Sequence, residues 1–386
     1  MADLARAASI ADLRLLARRR LPRSIFEFID GGAGDENTLA DNVADFARLR
    51  LMPRVAVDVA TRSTATTIAG HRSALPLVLA PTGLAGLFRP GGEMAAARAA
   101  KAAGISFCLS TNSVASIEEV AKAVPGVDRW FQLYFLKDER LMDRMLARAA
   151  GSGYRVLCLT VDLAVQGRRD RDVRNAFTVP LKPRLKTVAE VLARPAWLAG
   201  FLRAPVRFGN FAEDAPQQGF TSIAQHIARL CDASFDWNTI ARLVAKWNGP
   251  VAIKGILDPD DARRALDVGA STIVVSNHGG RQLDYVPSAV AALPGVVEAV
   301  AGRAQIILDG GVRRGTDVIK AKALGADACM IGRPFLWGLA AAGEAGVARA
   351  LAIFREEIDT ALALLGVPDF EKIGPGILRP REGPAA

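Results

Sequence analysis

Histidine and tyrosine are scarce in this chain, whose 386 residues include three of each. Any acid–base histidine must therefore be His71, His226 or His278. Long apolar runs are lacking too, because no stretch approaches the ~20 uncharged apolar residues of a membrane-spanning helix. The basic, helical start (residues 1–22) has no apolar h-region, so we expect no secretory signal.

Cysteine is also sparse, with four in the chain. They are Cys108, Cys158, Cys231 and Cys329, and no two of them stand at metal-ligand spacing. Three of the four lie in short apolar runs, where a free cysteine behaves as a small buried hydrophobe. We expect neither a disulfide nor a metal site, and a reducing cytoplasm fits this pattern.

Positive charge exceeds negative charge, since 49 lysines and arginines stand against 40 acidic residues and give a net charge of +9. Runs of basic residues with interleaved aromatics are missing, which argues against nucleic acid as a partner. An acidic substrate, a phosphate-bearing cofactor or an anionic membrane surface could each use the positive charge. The apolar content of 51% excludes a disordered or fibrous chain.

Short apolar runs alternate with amphipathic helical patterns. The runs are almost continuously apolar, so we expect a parallel sheet buried on both faces. The predicted strands are 75–81, 106–111, 130–135, 156–162, 250–255, 272–277, 305–311 and 328–334. An open doubly wound sheet would usually carry G-x-G-x-x-G after its first strand, where this chain has PTGLAGLFRPGG. The eight units therefore predict an α/β fold, a (β/α)8 TIM barrel with N-terminal helices.

The strand spacing is irregular only between the fourth and fifth strands. We interpret residues 163–249 as an insertion within a single domain that spans 1–386. Its basic segment 181–208 clusters large apolar residues at helical spacing: Trp197, Leu198, Phe201 and Leu202. This pattern fits a helix at a membrane interface, or a lid packed on the barrel or on a neighbouring subunit.

Polar residues at the carboxyl ends of barrel strands form the active site in this fold. The loops after the seventh and eighth strands are its usual phosphate site. There Arg313 and Arg333 stand beside glycines that expose backbone amides. We therefore expect a phosphate-bearing ligand.

His278 follows the sixth strand and precedes Arg281 by three residues. Arginine would disfavour protonation of the histidine, so the pair makes sense if Arg281 holds an anionic substrate while His278 removes a proton from it. Asp162, after the fourth strand, could stabilise the imidazolium that forms. Lys254, after the fifth strand, would be costly to bury unpaired and should face a ligand or a carboxylate.

The motifs SNHGGRQLD, LDGGVRRGTD and IGRP, taken together, resemble the FMN-dependent 2-hydroxy acid dehydrogenases and oxidases. The resemblance covers nearly the whole chain, from LPRSIFEFIDGGAGDENTL to the C-terminal helix. The long segment after the fourth strand and the stretches APTGLAGLFRPGGE and DASFDWNTI look most like the mandelate and L-lactate dehydrogenase branches. The resemblance implies FMN as the cofactor and a small 2-hydroxy acid as the substrate.

The resemblance also implies roles for individual residues. His278 is similar to the catalytic base of the family, and Asp162 to its imidazolium partner. Arg169 and Arg281 are similar to the arginines that hold the substrate carboxylate. Tyr134 is similar to a tyrosine beside the substrate hydroxyl and the flavin.

Further matches concern the cofactor. Lys254 matches the lysine beside the flavin N1/O2 edge, where its charge stabilises the reduced ring, and Asp309 matches a residue that binds the ribityl chain. Other flavin-contacting positions are matched by Pro81, Thr82, Gly83, Ser110, Gln132, Thr160 and Ser276. The phosphate cradle is matched by Gly311, Arg313, Gly332 and Arg333.

One position departs from the family pattern. Phe28 stands where the family usually places a tyrosine that contacts the substrate. Losing that hydrogen bond to a carboxylate would cost ~1.5–3 kcal/mol if nothing replaced it. We expect a preference for a more apolar or larger substrate side chain, tempered by Asn112 and Gln166.

The sequence thus predicts oxidation of an L-2-hydroxy acid to the 2-oxo acid. His278 takes either the hydroxyl proton, with hydride leaving C2, or the C2 proton itself. The basic segment favours a membrane quinone as electron acceptor and contact with the inner face of the membrane from the cytoplasm. The alternative is a soluble oxidase that reduces oxygen to hydrogen peroxide. Family analogy implies a homotetramer.

Two other classes of protein would share part of this pattern. A different phosphate-binding barrel, such as a nucleotide dehydrogenase or a flavin-dependent isomerase, would not need the set His278, Arg281 and Arg169. A flavoprotein without activity that binds a partner through 181–208 would not need it either.

Overall fold

A computed structural model describes residues 2–175, 185–204, 206–211 and 231–380. Eight parallel strands close into a barrel in chain order, and the last strand pairs with the first. They are β1 (Leu77–Leu79), β2 (Ser106–Ser110), β3 (Arg129–Leu133), β4 (Val156–Thr160), β5 (Val251–Ile256), β6 (Thr272–Ser276), β7 (Gln305–Asp309) and β8 (Ala328–Ile331). The predicted barrel is confirmed. Each strand lies within its predicted run or extends beyond it by one residue, while several predicted runs continue two or three residues past the strand.

The strands bury both of their faces, which explains their almost continuous apolar sequences. Alternate residues such as Val78 and Trp130 belong to one apolar cluster inside the barrel. Their neighbours, such as Leu77 and Leu79, pack with the surrounding helices. Cys108 and Cys158 belong to the inner cluster as free, buried thiols, in agreement with the structural role expected of them.

Helices surround the barrel and precede it. The described α-helices are Ala2–Ala5, Ile10–Arg20, Arg23–Asp30, Asn37–Arg48, Ala85–Phe88, Gly92–Ala103, Ile117–Ala123, Glu139–Gly151, Asp170–Arg174, Leu185–Leu192, Pro195–Arg203, Trp237–Lys246, Pro259–Asp267, Ala289–Val300, Gly315–Ala323, Arg333–Ala342 and Glu344–Leu365. Short 3-10 helices span Gly209–Phe211, Phe370–Lys372 and Pro375–Ile377. The helix before β2 ends on Gly104 in the left-handed conformation (φ 69°), as a glycine C-cap should.

Short strands that the sequence pattern did not predict complete the fold. Leu49–Leu51 pairs with Leu378–Pro380, and Thr66–Ile68 forms a hairpin with His71–Ser73. The hairpin lies at the amino ends of the barrel strands. There the side chain of Gln305, the first residue of β7, forms hydrogen bonds with the backbone of Thr67 and Ala69 in the hairpin. Strands of three residues are too short for a period-two pattern, and these four also lack the continuous apolar run that marks the barrel strands.

The basic segment packs partly on the barrel. Trp197 is buried, donates its Nε1–H to the carbonyl oxygen of Leu87 at 3.0 Å and stacks on Phe201 at 5.1 Å between ring centroids. Leu202, in the same helix, is 70% exposed. The helix therefore has a face on the barrel, as a lid would, and an apolar residue in solvent, as an interfacial helix would.

Parts of the predicted insertion lie outside the described residues, namely 176–184, 205 and 212–230, which include His226 and the start of the segment 181–208. Within the described ranges, none of the helices combines the length and the apolarity needed to cross a bilayer.

Candidate active site

A cavity of about 510 Å³ lies at the carboxyl ends of the barrel strands. Most of the predicted site residues line it: Phe28, Pro81, Thr82, Gly83, Tyr134, Arg169, Lys254, His278, Arg281, Asp309, Gly311, Arg313, Gly332 and Arg333. The remaining ones form the layer behind this wall: Ser110, Gln132, Thr160, Asp162 and Ser276. The fold thus brings together residues that are spread over some 300 positions of the chain.

His278 and Asp162 form a hydrogen-bonded pair at the cavity. His278 Nδ1 lies 2.9 Å from Asp162 Oδ1. Burial by itself raises the pKa of Asp162, but the charges of His278 and Lys254 and the hydrogen bond from the imidazole outweigh it and hold that pKa below its usual value. Because an ionised carboxylate only accepts, Nδ1 carries a proton in this contact, and the carboxylate fixes the orientation of the ring.

The loop after β6 turns back sharply at His278. Its φ is 58°, and Gly279 and Gly280 follow with φ values of 66° and 71°. A non-glycine residue rarely adopts this left-handed conformation, and such residues concentrate at functional sites. The amide of His278 donates to Ser276 Oγ at 3.0 Å, which fixes the start of the turn.

Two arginines flank the ring of Phe28. The guanidinium carbons of Arg281 and Arg169 lie 5.1 Å and 5.8 Å from the ring centroid. Burial and the neighbouring charges of Arg169 and Arg333 lower the pKa of Arg281 far below its usual value. This end of the cavity therefore concentrates positive charge and suits a carboxylate ligand.

The loops after β7 and β8 form the second cationic region. Burial and the charge of Arg333 lower the pKa of Arg313 to about 9, and burial lowers the pKa of Arg333 to about 10. Neither forms an ion pair with a carboxylate of the described chain, and Arg333 donates to carbonyl oxygens of Ile29, Gly31 and Gly279.

The backbone at this end packs closely on the helix Asn37–Arg48 because glycine is present. A Cβ on Gly311 would lie 1.8 Å from the carbonyl oxygen of Asn42, so no other residue fits there. Gly332 is the N-cap of the helix Arg333–Ala342, and the N-terminus of this helix lines the cavity. Buried cations beside free helix amides form a phosphate site.

Lys254 connects the strand ends in the middle of the cavity. Its Nζ lies 2.9 Å from Asp309 Oδ2 and 3.0 Å from Ser276 Oγ. Burial opposes the charged form, but Asp309 and Asp162 outweigh it and raise the pKa of Lys254 above its usual value. The ammonium group is therefore present at neutral pH, as expected for a lysine that faces a carboxylate.

Two buried polar atoms behind the wall test whether a flavin fits. Gln132 Nε2 and Thr160 Oγ1 have no hydrogen-bond partner among the described residues. Buried polar groups are normally bonded, and each one left unpaired costs free energy. Both lie at strand ends, so a polar ring in the cavity would satisfy them, and the residues present fit FMN.

Some residues of the site escaped the sequence analysis. Oδ2 of Asp172 lies 3.3 Å from Nη1 of Arg169, which stands three positions earlier in the chain. A carboxylate three residues after an arginine is a spacing that the sequence shows. Glu93 is buried and accepts from the amides of Gly86 and Val114, which fixes two loops beside the cavity. Burial raises the pKa of Glu93. Its position in a helix of alanines gave no sequence signal.

Comparison with known proteins agrees with this geometry. The fold and site define a flavin-binding TIM-barrel oxidoreductase. The sequence model of the FMN-dependent dehydrogenases matches residues 17–380, and the chain belongs to that family. This confirms the predicted family, its FMN cofactor and an enzyme that oxidises 2-hydroxy acids.

Individual relatives cover almost the whole chain. L-lactate dehydrogenase of Caulobacter vibrioides is 44% identical over 377 residues, which are 97% of this chain and 98% of that protein. The structure of the monotopic membrane protein (S)-mandelate dehydrogenase is 38% identical, with a TM-score of 0.93 over 96% of this chain and 99% of its own. Mandelate oxidase is 38% identical, with a TM-score of 0.83 over 97% and 99% of the two chains.

Replacing Thr160 tests the fit of the cofactor. Thr160→Val should weaken FMN binding by between about twofold and tenfold, because it removes a hydroxyl that the flavin would bond. The matched control is Thr272→Val, since Thr272 Oγ1 is also buried without a described partner but stands at the opposite end of the barrel. Titration of apoprotein with FMN, followed by quenching of flavin fluorescence, measures both. Equal losses in the two variants would contradict the assignment.

Proposed function

We propose that this chain oxidises an L-2-hydroxy acid to the 2-oxo acid, with His278 as the base. The observation that carries the proposal is the His278–Asp162 contact in the same cavity as two arginines that flank Phe28. A proton acceptor beside a carboxylate-binding region is what the oxidation of such an acid requires.

The substrate is oriented by its carboxylate. Arg169 and Arg281 hold that group, which places the 2-hydroxyl towards His278 and Tyr134. Tyr134 lies parallel to the imidazole, with 6.5 Å between ring centroids. Burial and the charge of Asp162 raise the pKa of Tyr134, so its hydroxyl stays protonated and can donate to the substrate oxygen.

The chemistry divides between the cofactor and the protein. When bound, FMN supplies the acceptor for the two electrons of the C2–H bond. His278 Nε2 accepts the hydroxyl proton, and the Asp162 carboxylate stabilises the imidazolium that results. Taking the C2 proton instead would use the same residues.

The residues that hold FMN divide by the part of the cofactor they would contact. Lys254, Ser110, Gln132, Thr160, Ser276 and the stretch Pro81–Gly83 would hold the ring. Asp309 would hold the ribityl chain, and Gly311, Arg313, Gly332 and Arg333 the phosphate. An ammonium group on Lys254 favours negative charge on the ring.

Replacing the base separates chemistry from binding. His278→Gln should retain FMN and substrate binding and lose ~10²–10⁴-fold in turnover, because an amide cannot accept the proton. Anaerobic bleaching of flavin absorbance by a 2-hydroxy acid measures the reductive step directly. His71→Gln, in the exposed hairpin, is the control and should react normally. Near-normal bleaching by His278→Gln would refute the role of the histidine.

Apolar side chains surround the region next to the arginines. Phe28 and Phe88 lie 6.3 Å apart, and Leu84 and Phe208 line the same cavity. Asn112 and Gln166 add polar groups to the wall. These contacts support a substrate with an apolar or aromatic side chain, of the mandelate type or a longer 2-hydroxy acid, over glycolate.

The substrate preference is tested at Phe28. Phe28→Tyr restores a donor near the carboxylate, so it should raise kcat/KM for lactate and glycolate by roughly tenfold, with less effect on mandelate. Phe88→Tyr adds the same hydroxyl to the neighbouring ring and is the control. The assay compares glycolate, lactate, mandelate and longer 2-hydroxy acids. A clear preference of the unmodified chain for glycolate would overturn the proposal.

The electron acceptor we propose is a membrane quinone, reached by peripheral contact with the inner face of the membrane through the segment 181–208. Val188, Leu192 and Leu202 support it, because they are 46%, 63% and 70% exposed on two successive helices. The structurally similar (S)-mandelate dehydrogenase is a monotopic membrane protein. The similarity to mandelate oxidase supports oxygen as the alternative acceptor. The homotetramer stays a prediction, which the molar mass in solution tests.

The membrane contact is tested by making these residues polar. The variant Val188→Gln/Leu192→Gln/Leu202→Gln should lose co-sedimentation with vesicles and quinone reduction in them, while activity with a soluble dye is retained, because apolar burial drives insertion. Val43→Gln/Val55→Gln/Leu364→Gln replaces three exposed apolar residues elsewhere and should behave like the parent chain. Stoichiometric hydrogen peroxide without quinone reduction would favour the oxidase.

A further inference from the structure

A second cavity, of about 690 Å³, lies on the other side of the helix Arg23–Asp30 from the active-site cavity. That helix contributes Phe26, Glu27 and Asp30 to the second cavity and Phe28 and Ile29 to the first. Six arginines line the second cavity, which we call the arginine cavity: Arg14, Arg18, Arg19, Arg23, Arg171 and Arg194. The carboxylates in its wall are those of Glu27 and Asp30, so positive charge is in excess.

Internal ion pairs neutralise only part of this charge. Arg14 binds Asp30 through two hydrogen bonds of 2.6 Å and 2.7 Å, and Arg171 approaches the same carboxylate at 3.4 Å. Arg23 Nε donates to Glu27 at 2.8 Å. Both carboxylates of the wall are therefore engaged.

The other three arginines are uncompensated. Arg18, Arg19 and Arg194 form no ion pair with any carboxylate of the described ranges. Arg194 Nε is also buried, with no hydrogen-bond partner among the described residues. A buried guanidinium N–H without an acceptor is costly, and an anion in the cavity would satisfy it.

The residues around the charges indicate the class of anion. Arginine binds phosphate oxygens through its planar fork of donors, and several arginines together suit a phosphate group. Leu15 lines the cavity and is 47% exposed, next to the buried Leu21. Arg194 immediately precedes the helix Pro195–Arg203, which carries the exposed Leu202. The charged cavity thus adjoins apolar surface, as a phosphate ester with a hydrocarbon chain requires.

We propose that the arginine cavity binds a phosphate ester, supplied by the headgroup of an anionic phospholipid. The lipid source rests on the membrane contact proposed above, whereas the phosphate site itself does not depend on it or on the oxidation reaction. Bound there, the phosphate contacts Arg18, Arg19 and Arg194, while Asp30 keeps Arg14 in place.

The experiment compares two charge-neutralised forms of the FMN-loaded chain. Arg18→Gln/Arg19→Gln/Arg194→Gln removes the uncompensated arginines. Its matched control removes three exposed arginines from other surfaces: Arg54→Gln/Arg72→Gln/Arg140→Gln. Binding is measured to phosphatidylglycerol vesicles, to phosphatidylcholine vesicles and, by calorimetry, to glycerol phosphate. Oxidation of a 2-hydroxy acid with a soluble dye is measured on the same samples.

The expected result is a loss of roughly 100-fold in affinity for phosphatidylglycerol vesicles in the cavity variant alone, because each arginine near an anionic surface contributes about fivefold. Binding of glycerol phosphate with the same variant dependence, but no vesicle binding, would keep the site and replace the lipid by a soluble ester. Equal losses in the control, or full binding by the cavity variant, would overturn the proposal. The single variants Arg18→Gln and Arg194→Gln repeat the test if the triple variant does not fold.

Dye reduction distinguishes failure of the phosphate-site proposal from failure of the proposed function. The cavity variant should oxidise the 2-hydroxy acid at the parental rate, since none of the three arginines lines the active-site cavity. Absence of oxidation in the parent chain would refute the proposed function and leave the phosphate binding to be judged by the vesicle data.

Discussion

The concentration of positive charge at the carboxyl end of the barrel is the constraint on which the rest of the site depends. Burial lowers the pKa of Arg169, Arg281, Arg313 and Arg333. The acidic groups nearby are already engaged, since Asp162 holds His278 and Asp309 holds Lys254. In the proposed function, the cofactor phosphate and the substrate carboxylate supply the missing negative charge. Binding of these two anionic groups then neutralises the positive charge of the buried arginines.

The helix Arg23–Asp30 contributes residues to both the active-site cavity and the arginine cavity. Its last turn places the ring of Phe28 against the guanidinium groups of two arginines, and carbonyl oxygens at and just after that turn accept from Arg281 and Arg333. On its other face Asp30 holds Arg14 in the arginine cavity. The N-terminal helices are therefore part of both candidate ligand sites.

The barrel strands were predictable because burial on both faces leaves a continuous apolar run, which is a strong local signal. The residues after those runs were also predictable, since the carboxyl ends of parallel strands must meet at one end of a barrel. The hairpin at the other end was not, because its two short strands, Thr66–Ile68 and His71–Ser73, carry no continuous apolar run. Glu93 was missed because a glutamate in a helix is normally exposed, and only the packing of two loops buries this one.

The sequence by itself determined the fold class, the family and the chemical types at the strand ends, because each is written in contiguous residues or regular spacing. It also marked Phe28 as the departure from the family pattern. Only the tertiary structure decided that Asp162 lies against His278, that Phe28 lies against two arginines, and that Trp197 packs on the barrel while Leu202 does not. The arginine cavity likewise exists only after folding, because its wall joins residues 14 to 30 with Arg171 and Arg194. Contacts between distant segments depend on how the helices pack around the barrel, and a local sequence pattern does not predict that packing.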